Sequence, residues 1–517
     1  MGWVDAVSVA GFACLLATLL LYSAAAMPFQ RFANLPDFVG ILGHALRSGV
    51  LAGVAGTLVV GLGLRRVLSH VVVRVLFAFA FVAGNASFCA MALGGAWPEW
   101  TFWPVGICVG VGCLGELLAW GRILARYNLR QATGVVAGSA VLAALVGWAQ
   151  LHVSESAAVA LFVFCTLVCA VLPFAFAPFR NPRADSGASA AETNGHAAEL
   201  GACAAQPQGA PTWPRDASTS GRMRGFLEMT FVPGVGLALF AMLMAVRGEL
   251  FFENYSEYVV IQVVVALLLL ACMLLPPSTP LLRAVYRGLI PVLSVAMLVF
   301  NYFSESLLAG SPFELTFVLV LYTAAALLTL STLVGMAHAA EYPSDLVVCV
   351  GVALFCFVTV FTQVECANIG ADPAQVCTLI VVTSGLYAAG MVVYALWRGL
   401  RADREAFVGA TDLGYGRDAG IAAFRTASTL EDAPAPDAGD VLLGEASLEA
   451  RCDELARTYG LTAREREVLG FLAHGHNGVY IGEELVISPN TVRTHIHDIY
   501  RKLDVTSRED ILRIVRE

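Results

Sequence analysis

From Val4 to about Trp397 the chain is a succession of apolar runs of membrane-spanning length, and that repetition limits its fold more than anything else. A helix crossing the hydrocarbon core needs about 20 mostly apolar residues. Runs of that kind fall at about 4–27, 40–64, 70–93, 101–121, 133–151 and 156–177, and again at about 230–247, 257–275, 286–303, 313–337, 345–363 and 376–397. They are long, continuous and rich in Leu, Val, Ala and Gly, which excludes strands. Charged residues make up 14% of the chain, against about 25% in a soluble domain, and the mean hydropathy is +0.73. The expectation is an all-α polytopic membrane helix bundle of about twelve spans, arranged six plus six. A different kind of domain must follow, because no such run occurs after residue 397.

Arginine in the short loops sets the orientation. With a cytoplasmic N-terminus, the inner loops hold Arg65 and Arg66, then Arg122, Arg126 and Arg130, later Arg283 and Arg287, and finally Arg398, Arg401 and Arg404. The outer loops hold Arg31 and Arg247, with Arg47 joining them if the second span starts late. Both termini are therefore expected in the cytoplasm, in the inner (cytoplasmic) membrane of a cell. The expected division is 1–177, first membrane half; 178–229, a cytoplasmic linker rich in Ala, Gly, Ser and Pro; 230–397, second half; 398–446, a flexible acidic linker; and 447–517, a compact tail. A helix from about Ala446 to Tyr459 is expected to lead into that tail.

The rest of the tail reads as four helices. Thr462 with Glu465 three residues on is a capping box, and Val468, Leu469, Phe471 and Leu472 give the first helix an apolar face that Gly475 terminates. Ile481 and Leu485 point a short second helix inward. Ser488-Pro489 starts a third helix that runs to about Leu503, with Val492, Ile496, Ile499, Tyr500 and Leu503 on its buried side. Arg493, Thr494, His497, Arg501 and Lys502, the sole lysine, occupy the other side, a pattern suited to the major groove. A fourth helix from Ser507 has Ile511, Leu512 and Ile514 as core.

The strings Leu-Thr-x-Arg-Glu-x-Glu-Val-Leu from Leu461 and Ile-Ser-x-x-Thr-Val-x-x-His-x-x-x-Ile-Tyr-x-Lys-Leu from Ile487 resemble the LuxR-type helix-turn-helix domain over roughly the last 60 residues. The resemblance implies a four-helix domain without a wing whose third helix reads double-stranded DNA and whose last helix is a dimer contact. By position, the DNA-binding residues would be Ser488, Asn490, Thr491, Val492, Arg493, Thr494, His497, Arg501 and Lys502. Arg493, Thr494 and His497 would reach bases; Thr491, Arg501 and Lys502 would contact phosphate or hold the register. The sequence departs from the family at Gly478-Val479-Tyr480, where Asn-Lys-Glu is usual, so one cation is missing. Arg464 and Arg466 read as solvated surface. The six-plus-six layout resembles the major facilitator architecture, although the loop Gly61-Leu62-Gly63-Leu64-Arg65-Arg66 lacks that family's aspartate.

Ionisable groups at membrane depth are costly and invite functional readings. Arg74 and Glu116 fall near the same membrane face and would make a sensor latch or a static pair. His44 and Arg47 would receive an anionic ligand or lie along the interface. Asn85, Gln262, Asn301 and Gln363 read as interhelical hydrogen-bond formers, and Trp97, Trp100 and Trp103 as an interfacial belt. Nine of the 13 cysteines lie within apolar runs as small apolar residues, and Cys366 and Cys377 flank one outer loop. No phosphate loop, nucleophile elbow, zinc helix or Cys-x-x-Cys pair occurs, so no catalytic residue, metal or cofactor is expected. The leading expectation is a membrane-bound one-component transcription regulator that senses a signal, such as an unidentified small molecule, through its lipid-embedded helices and binds operator DNA as a homodimer. The alternative is a major-facilitator-like transporter with a regulatory DNA-binding tail, and a third, weaker one is a scaffold whose tail recruits protein.

Overall fold

The computed structural model describes residues 3–21, 25, 27–29, 31–32, 38–94, 97–175, 255–272, 312–339, 342–360, 438–476, 478–485, 487, 489–505 and 508–516. The expected spans at 230–247, 286–303 and 376–397, both linkers apart from residues 438–446, and Asn301, Gln363, Cys366 and Cys377 lie outside the described residues. Two compact units are present.

The first unit is helical. Its elements are α1 (Trp3–Thr18), α2 (Phe38–Gly61), the short α3 (Arg65–Ser69), α4 (Val71–Leu93), α5 (Phe102–Leu124), α6 (Leu129–His152), α7 (Glu155–Ala175), α8 (Tyr255–Cys272), α9 (Pro312–Ala339) and α10 (Ser344–Val360). Among the described residues, five segments are long and apolar enough to cross a membrane: Gly40–Gly61, Val71–Leu93, Glu99–Leu124, Leu129–His152 and Glu155–Ala175. Leu58 on α2, Phe79 on α4, Phe164 on α7 and Leu268 on α8 are all exposed, as a lipid-facing surface requires. Trp97, Trp100 and Trp103 are exposed as well, consistent with a belt at the interface.

Interhelical contacts rely on small residues and buried amides. A Cβ on Gly53 of α2 would come within 2.9 Å of the Ala353 backbone nitrogen of α10, and one on Gly84 of α4 within 2.8 Å of the Val109 nitrogen of α5. Only glycine lets these backbones approach so closely. Asn85 is fully buried and donates to the Thr18 carbonyl and to Thr166 Oγ1, both at 3.3 Å. Gln262 of α8 donates to the Ala140 carbonyl of α6 at 3.2 Å. Both amides thus bridge helices, as expected.

Two boundaries differ from the sequence reading. The first span, expected to run to residue 27, ends as a helix at Thr18, and residues 27–29 form a 3-10 turn. The freed Thr18 carbonyl is satisfied by Asn85 from α4, so the chain leaves the helix without stranding that polar group. At α6 the helix begins at Leu129, not 133. Asn128 and Gln131 form a reciprocal capping box there, with the Gln131 N–H donating to Asn128 Oδ1 at 2.9 Å. At the other end of α6, Arg31 donates to the carbonyls of Gln150 (2.6 Å) and Leu151 (2.9 Å), a cationic C-terminal cap.

The helix ends near Arg122 and Arg126 converge through polar contacts. Arg122 of α5 forms an ion pair with Asp345 in the first turn of α10 at 2.7 Å and also donates to the Leu68 carbonyl at 3.2 Å. His338 Nδ1 contacts the Ala125 carbonyl at 2.8 Å. Tyr127 donates to Asp5 at 2.8 Å, and Arg126 bonds to Ser8.

The second unit contains α11 (Ala438–Thr458), α12 (Ala463–Ala473), α13 (Gly478–Leu485), α14 (Pro489–Leu503) and α15 (Arg508–Arg516). Helix α11 begins at Ala438 rather than about Ala446, inside the segment read as linker. Val468, Leu469, Ile481, Val492, Ile499 and Ile511 form a core that is essentially solvent-free. On α15 the second buried residue is Val515; Leu512 and Ile514 are only half-buried. Positions 511 and 515 are four apart and share one stripe of a helix, which 512 and 514 flank. No strand occurs among the described residues.

Candidate nucleic-acid interface

Helix α12 packs against α11, α14 and α15. Thr462 caps it: the Glu465 N–H donates to Thr462 Oγ1 at 3.2 Å, and Glu465 Oε2 accepts from the Thr462 N–H at 2.6 Å. The helix ends at His474, where Gly475 adopts φ +84° and the His476 N–H reaches back to the Phe471 carbonyl at 3.0 Å. That left-handed residue with its long return bond is a Schellman-type stop. Helix α14 ends in the same way, with Asp504 at φ 55° and the Val505 N–H bonded to the Tyr500 carbonyl at 3.0 Å.

Helix α14 is sharply two-sided. Val492, Ile499 and Leu503 are buried, and Ile496 and Tyr500 are half-buried. Arg493, Thr494, His497 and Arg501 are exposed on the opposite side, and Thr491 is half-buried at its start. Ser488 lies outside the described residues; Asn490 sits in the first turn, its side chain likewise outside them. Val492, placed among the DNA-binding positions by resemblance, is 1% exposed and faces α13, where Gly478 and Gly482 leave room for it. Its part is to seat the helix. Arg501 forms an i−3 pair with Asp498 at 3.1 Å that is largely solvated.

Lys502 occupies a position that sequence alone left open. Its ammonium is 2.6 Å from Glu465 Oε2 and 3.3 Å from the Gly460 carbonyl. The lysine therefore ties the end of α14 to the capping box of α12 and holds the register of the two helices. Burial pushes the Glu465 carboxyl up, but hydrogen bonds from Lys502 and Thr462 outweigh it and leave the pKa below its ordinary value of 4.5. Arg464 pairs with Glu467 at 2.7 Å and caps α13 by donating to the Leu485 carbonyl at 2.8 Å. Arg466 pairs with Asp453 of α11. Arg466 is exposed, as a surface residue should be, whereas Arg464 is largely buried and ties α12 to the end of α13, which differs from the solvated reading.

Where the sequence departs from the LuxR pattern, an aromatic cluster is found. Tyr480 is buried and stacks on His476 with ring centroids 3.9 Å apart and planes within 6°; Phe471 lies 6.0 Å from both. Arg508 of α15 donates to the His476 carbonyl at 3.1 Å. Spacing alone hides this cluster, because the rings meet only once the α12–α13 turn has formed. Burial lowers the pKa of His476 and, together with nearby Arg464, that of His495.

These shifts give the tail a signed response to acid. A histidine with a depressed native pKa favours folding when neutral, and that contribution is lost as pH falls below its ordinary value of 6.5. Glu465 acts the same way, but only below about 4.5. Urea denaturation of the tail should show stability falling in two steps, first below pH 6.5 and again below 4.5. His476→Gln with His495→Gln should remove the first step only. A single step, or a first step that survives both substitutions, would contradict the assignment.

The ionisable residues singled out in the membrane helices have surroundings unlike those of the exposed side of α14. Arg74 donates to the Pro173 carbonyl at 3.3 Å and lies over the Phe174 ring at 4.8 Å, while Glu116 is buried with Oε2 lacking a hydrogen-bond partner. His44 packs against Trp103 with centroids 4.3 Å apart, and Arg47 is exposed. Among the described residues, no group of three or more His, Cys, Asp or Glu side chains is placed to hold a metal ion.

Comparison with known proteins separates the two units. Over most of the chain, the human organic anion transporter MFSD10 (TETRAN) is 16% identical with a TM-score of 0.42, covering 75% of this chain and 96% of its own. A major facilitator superfamily proton:xylose symporter is 12% identical with a TM-score of 0.44, covering 76% and 95%. The E. coli fucose:proton symporter is 10% identical with a TM-score of 0.34, covering 75% and 96%. At such scores the likeness establishes no activity or substrate. In the tail, residues 460–515 match the family described as "Bacterial regulatory proteins, luxR family". The carboxy-terminal domain of this chain thus belongs to the LuxR family of bacterial regulatory proteins.

Proposed function

We propose that the chain is a membrane-bound one-component transcription regulator. Its multi-pass membrane unit senses a signal, and its tail binds operator DNA, pairing as a homodimer on a two-fold site. The observation that carries this reading is the division of α14. Val492, Ile499 and Leu503 anchor one side, while Arg493, Thr494 and His497 are exposed together on the other. Such a helix is built for a groove. In the proposed arrangement both termini lie in the cytoplasm of a bacterial cell, the inner membrane lipid surrounds the first unit, and the tail meets chromosomal DNA near that membrane. Arg493, Thr494 and His497 contact bases, while Thr491 and Arg501, with Ser488 and Asn490 at the helix start, contact the phosphate backbone.

Crosslinking the full-length chain in cells and sequencing the recovered DNA should return a small set of sites sharing a two-fold motif. A reporter fused after Arg404 should register in the cytoplasm. Random genomic recovery, or a reporter signal from outside, would overturn the proposal. The transporter reading has one feature in its favour, a cavity between the membrane helices. Solute uptake into vesicles without operator binding would support it.

A further inference from the structure

Three side chains able to carry positive charge meet at the corner between α12 and α13. His474 caps the end of α12 and is exposed, His476 lies two residues on, and Arg508 is the first residue of α15. Arg508 Nη2 donates to the His476 carbonyl at 3.1 Å and lies close to Gly475, where a Cβ would be 4.0 Å from it. The rings of His474 and His476 are near-parallel, with centroids 6.4 Å apart and planes within 16°. Tyr480, stacked on His476, fixes the second imidazole.

The local field at this corner is positive. Burial lowers the pKa of His476, and so do the charges of His474 and Arg508. Asp510, two residues beyond Arg508, turns to Arg513 at 3.3 Å. A guanidinium has five N–H donors. The bond to His476 uses one of those on Arg508, and Nε is enclosed. The Nη end is therefore the part of this half-buried side chain that can meet a ligand.

The place of the corner in the fold gives the ligand. In a helix-turn-helix, the helix before the reading helix crosses the sugar-phosphate backbone. Here that helix is α13. It begins directly after the corner, and its own start, Asn477-Gly478-Val479-Tyr480, holds no cation. A Cβ on Gly478 would lie 3.5 Å from a methyl of Val492, the neighbour of Arg493, so the corner adjoins the helix that presents the exposed cationic side. We propose that Arg508, flanked by His474 and His476, grips a DNA phosphate where α13 crosses the backbone. A phosphate oxygen at this point accepts from the Arg508 Nη groups and favours the imidazolium forms of both histidines. The contact fixes how α13 sits on the duplex and reads no sequence. The assignment rests on the DNA-binding reading above and adds to it a contact outside α14.

The test uses the full chain in detergent micelles and two duplexes of about 30 base pairs with unrelated sequences, titrated over a salt series. Affinities are corrected for the folded fraction. Arg508→Gln should weaken both duplexes alike and lower the salt dependence by about one unit, as the loss of one phosphate contact does. Arg508→Lys, which keeps the charge, should retain that dependence. His474→Glu places a carboxylate at an exposed site of the corner and should weaken both duplexes about tenfold at low salt. Ala450→Glu adds the same charge at an exposed site of α11 and should change them by less than about threefold. If Arg508→Gln does not fold, His474→Glu against Ala450→Glu decides. An unchanged salt dependence in Arg508→Gln, its equal loss in Arg508→Lys, an effect on one duplex only, or equal effects of the two glutamates would overturn the assignment. In each of these cases the parent chain still binds, and the regulator reading stands. No binding of either duplex by the parent chain at low salt would overturn that reading, and this contact with it.

Discussion

Arg122→Ala should destabilise the membrane unit by about 3–5 kcal/mol, the usual cost of removing one partner from a buried ion pair. Arg122 and Asp345 are each only 11% exposed and meet at 2.7 Å. Deleting the guanidinium leaves a carboxylate inside the helix bundle with its main counter-charge gone, and it also removes the donor to the Leu68 carbonyl. The double substitution Arg122→Leu with Asp345→Leu should lie close to the parent, because a well-packed apolar pair replaces a buried ionic one at little cost. Unfolding of the full chain in mixed micelles, followed by denaturant titration, measures both. A loss below about 1 kcal/mol for Arg122→Ala is the behaviour of a solvated pair and would show that water reaches this contact.

That ion pair also marks the limit of what the sequence discloses. Arg122 and Asp345 are 223 positions apart. Arg122 reads from sequence as one of several loop arginines, and Asp345 as an acidic residue at a helix start; nothing local joins them. Helix positions were far more legible. Spans expected at about 40–64, 70–93 and 156–177 appear as α2, α4 and α7 with ends displaced by three residues or fewer. Hydropathy succeeds there because the run and the helix have the same limits. It fails at α1, where the apolar run continues but the backbone turns at Thr18, since hydropathy carries no information about backbone geometry. At α6 the reverse holds: Asn128 and Gln131 carry the capping signature, but the polar first turn hides the start from a hydropathy argument.

The tail shows the same division between local and tertiary information. Capping by Thr462 and Glu465, the stop at Gly475 and the stripe of α14 are all local patterns, and each is found. The second role of Glu465, as the partner of Lys502, depends on how α12 crosses α14 and spans 37 positions. The His476–Tyr480 stack likewise needs a formed turn. Motif position alone leaves Lys502 between a phosphate contact and a register-holding role, and packing places it at the α12–α14 junction.

Arg493 and Lys502, on one helix and in one motif, should consequently fail in different ways when removed. In the 447–517 unit, Arg493→Ala should weaken operator binding by about 1–3 kcal/mol, roughly 5- to 150-fold, and should relax specificity at one base position. Its side chain is exposed, so unfolding in urea should change little. Lys502→Ala should do the converse. It takes the ammonium away from Glu465, whose side chain is 6% exposed. Leaving that carboxylate short of a partner should cost about 1–3 kcal/mol of stability. Operator affinity corrected for the folded fraction should then stay near the parent value. A phosphate contact behaves otherwise: its removal weakens all sequences alike and lowers the salt dependence of binding by about one unit. If Lys502→Ala gives that salt signature with stability intact, the lysine leaves Glu465 on meeting DNA, and the junction is held by the apolar stripe alone.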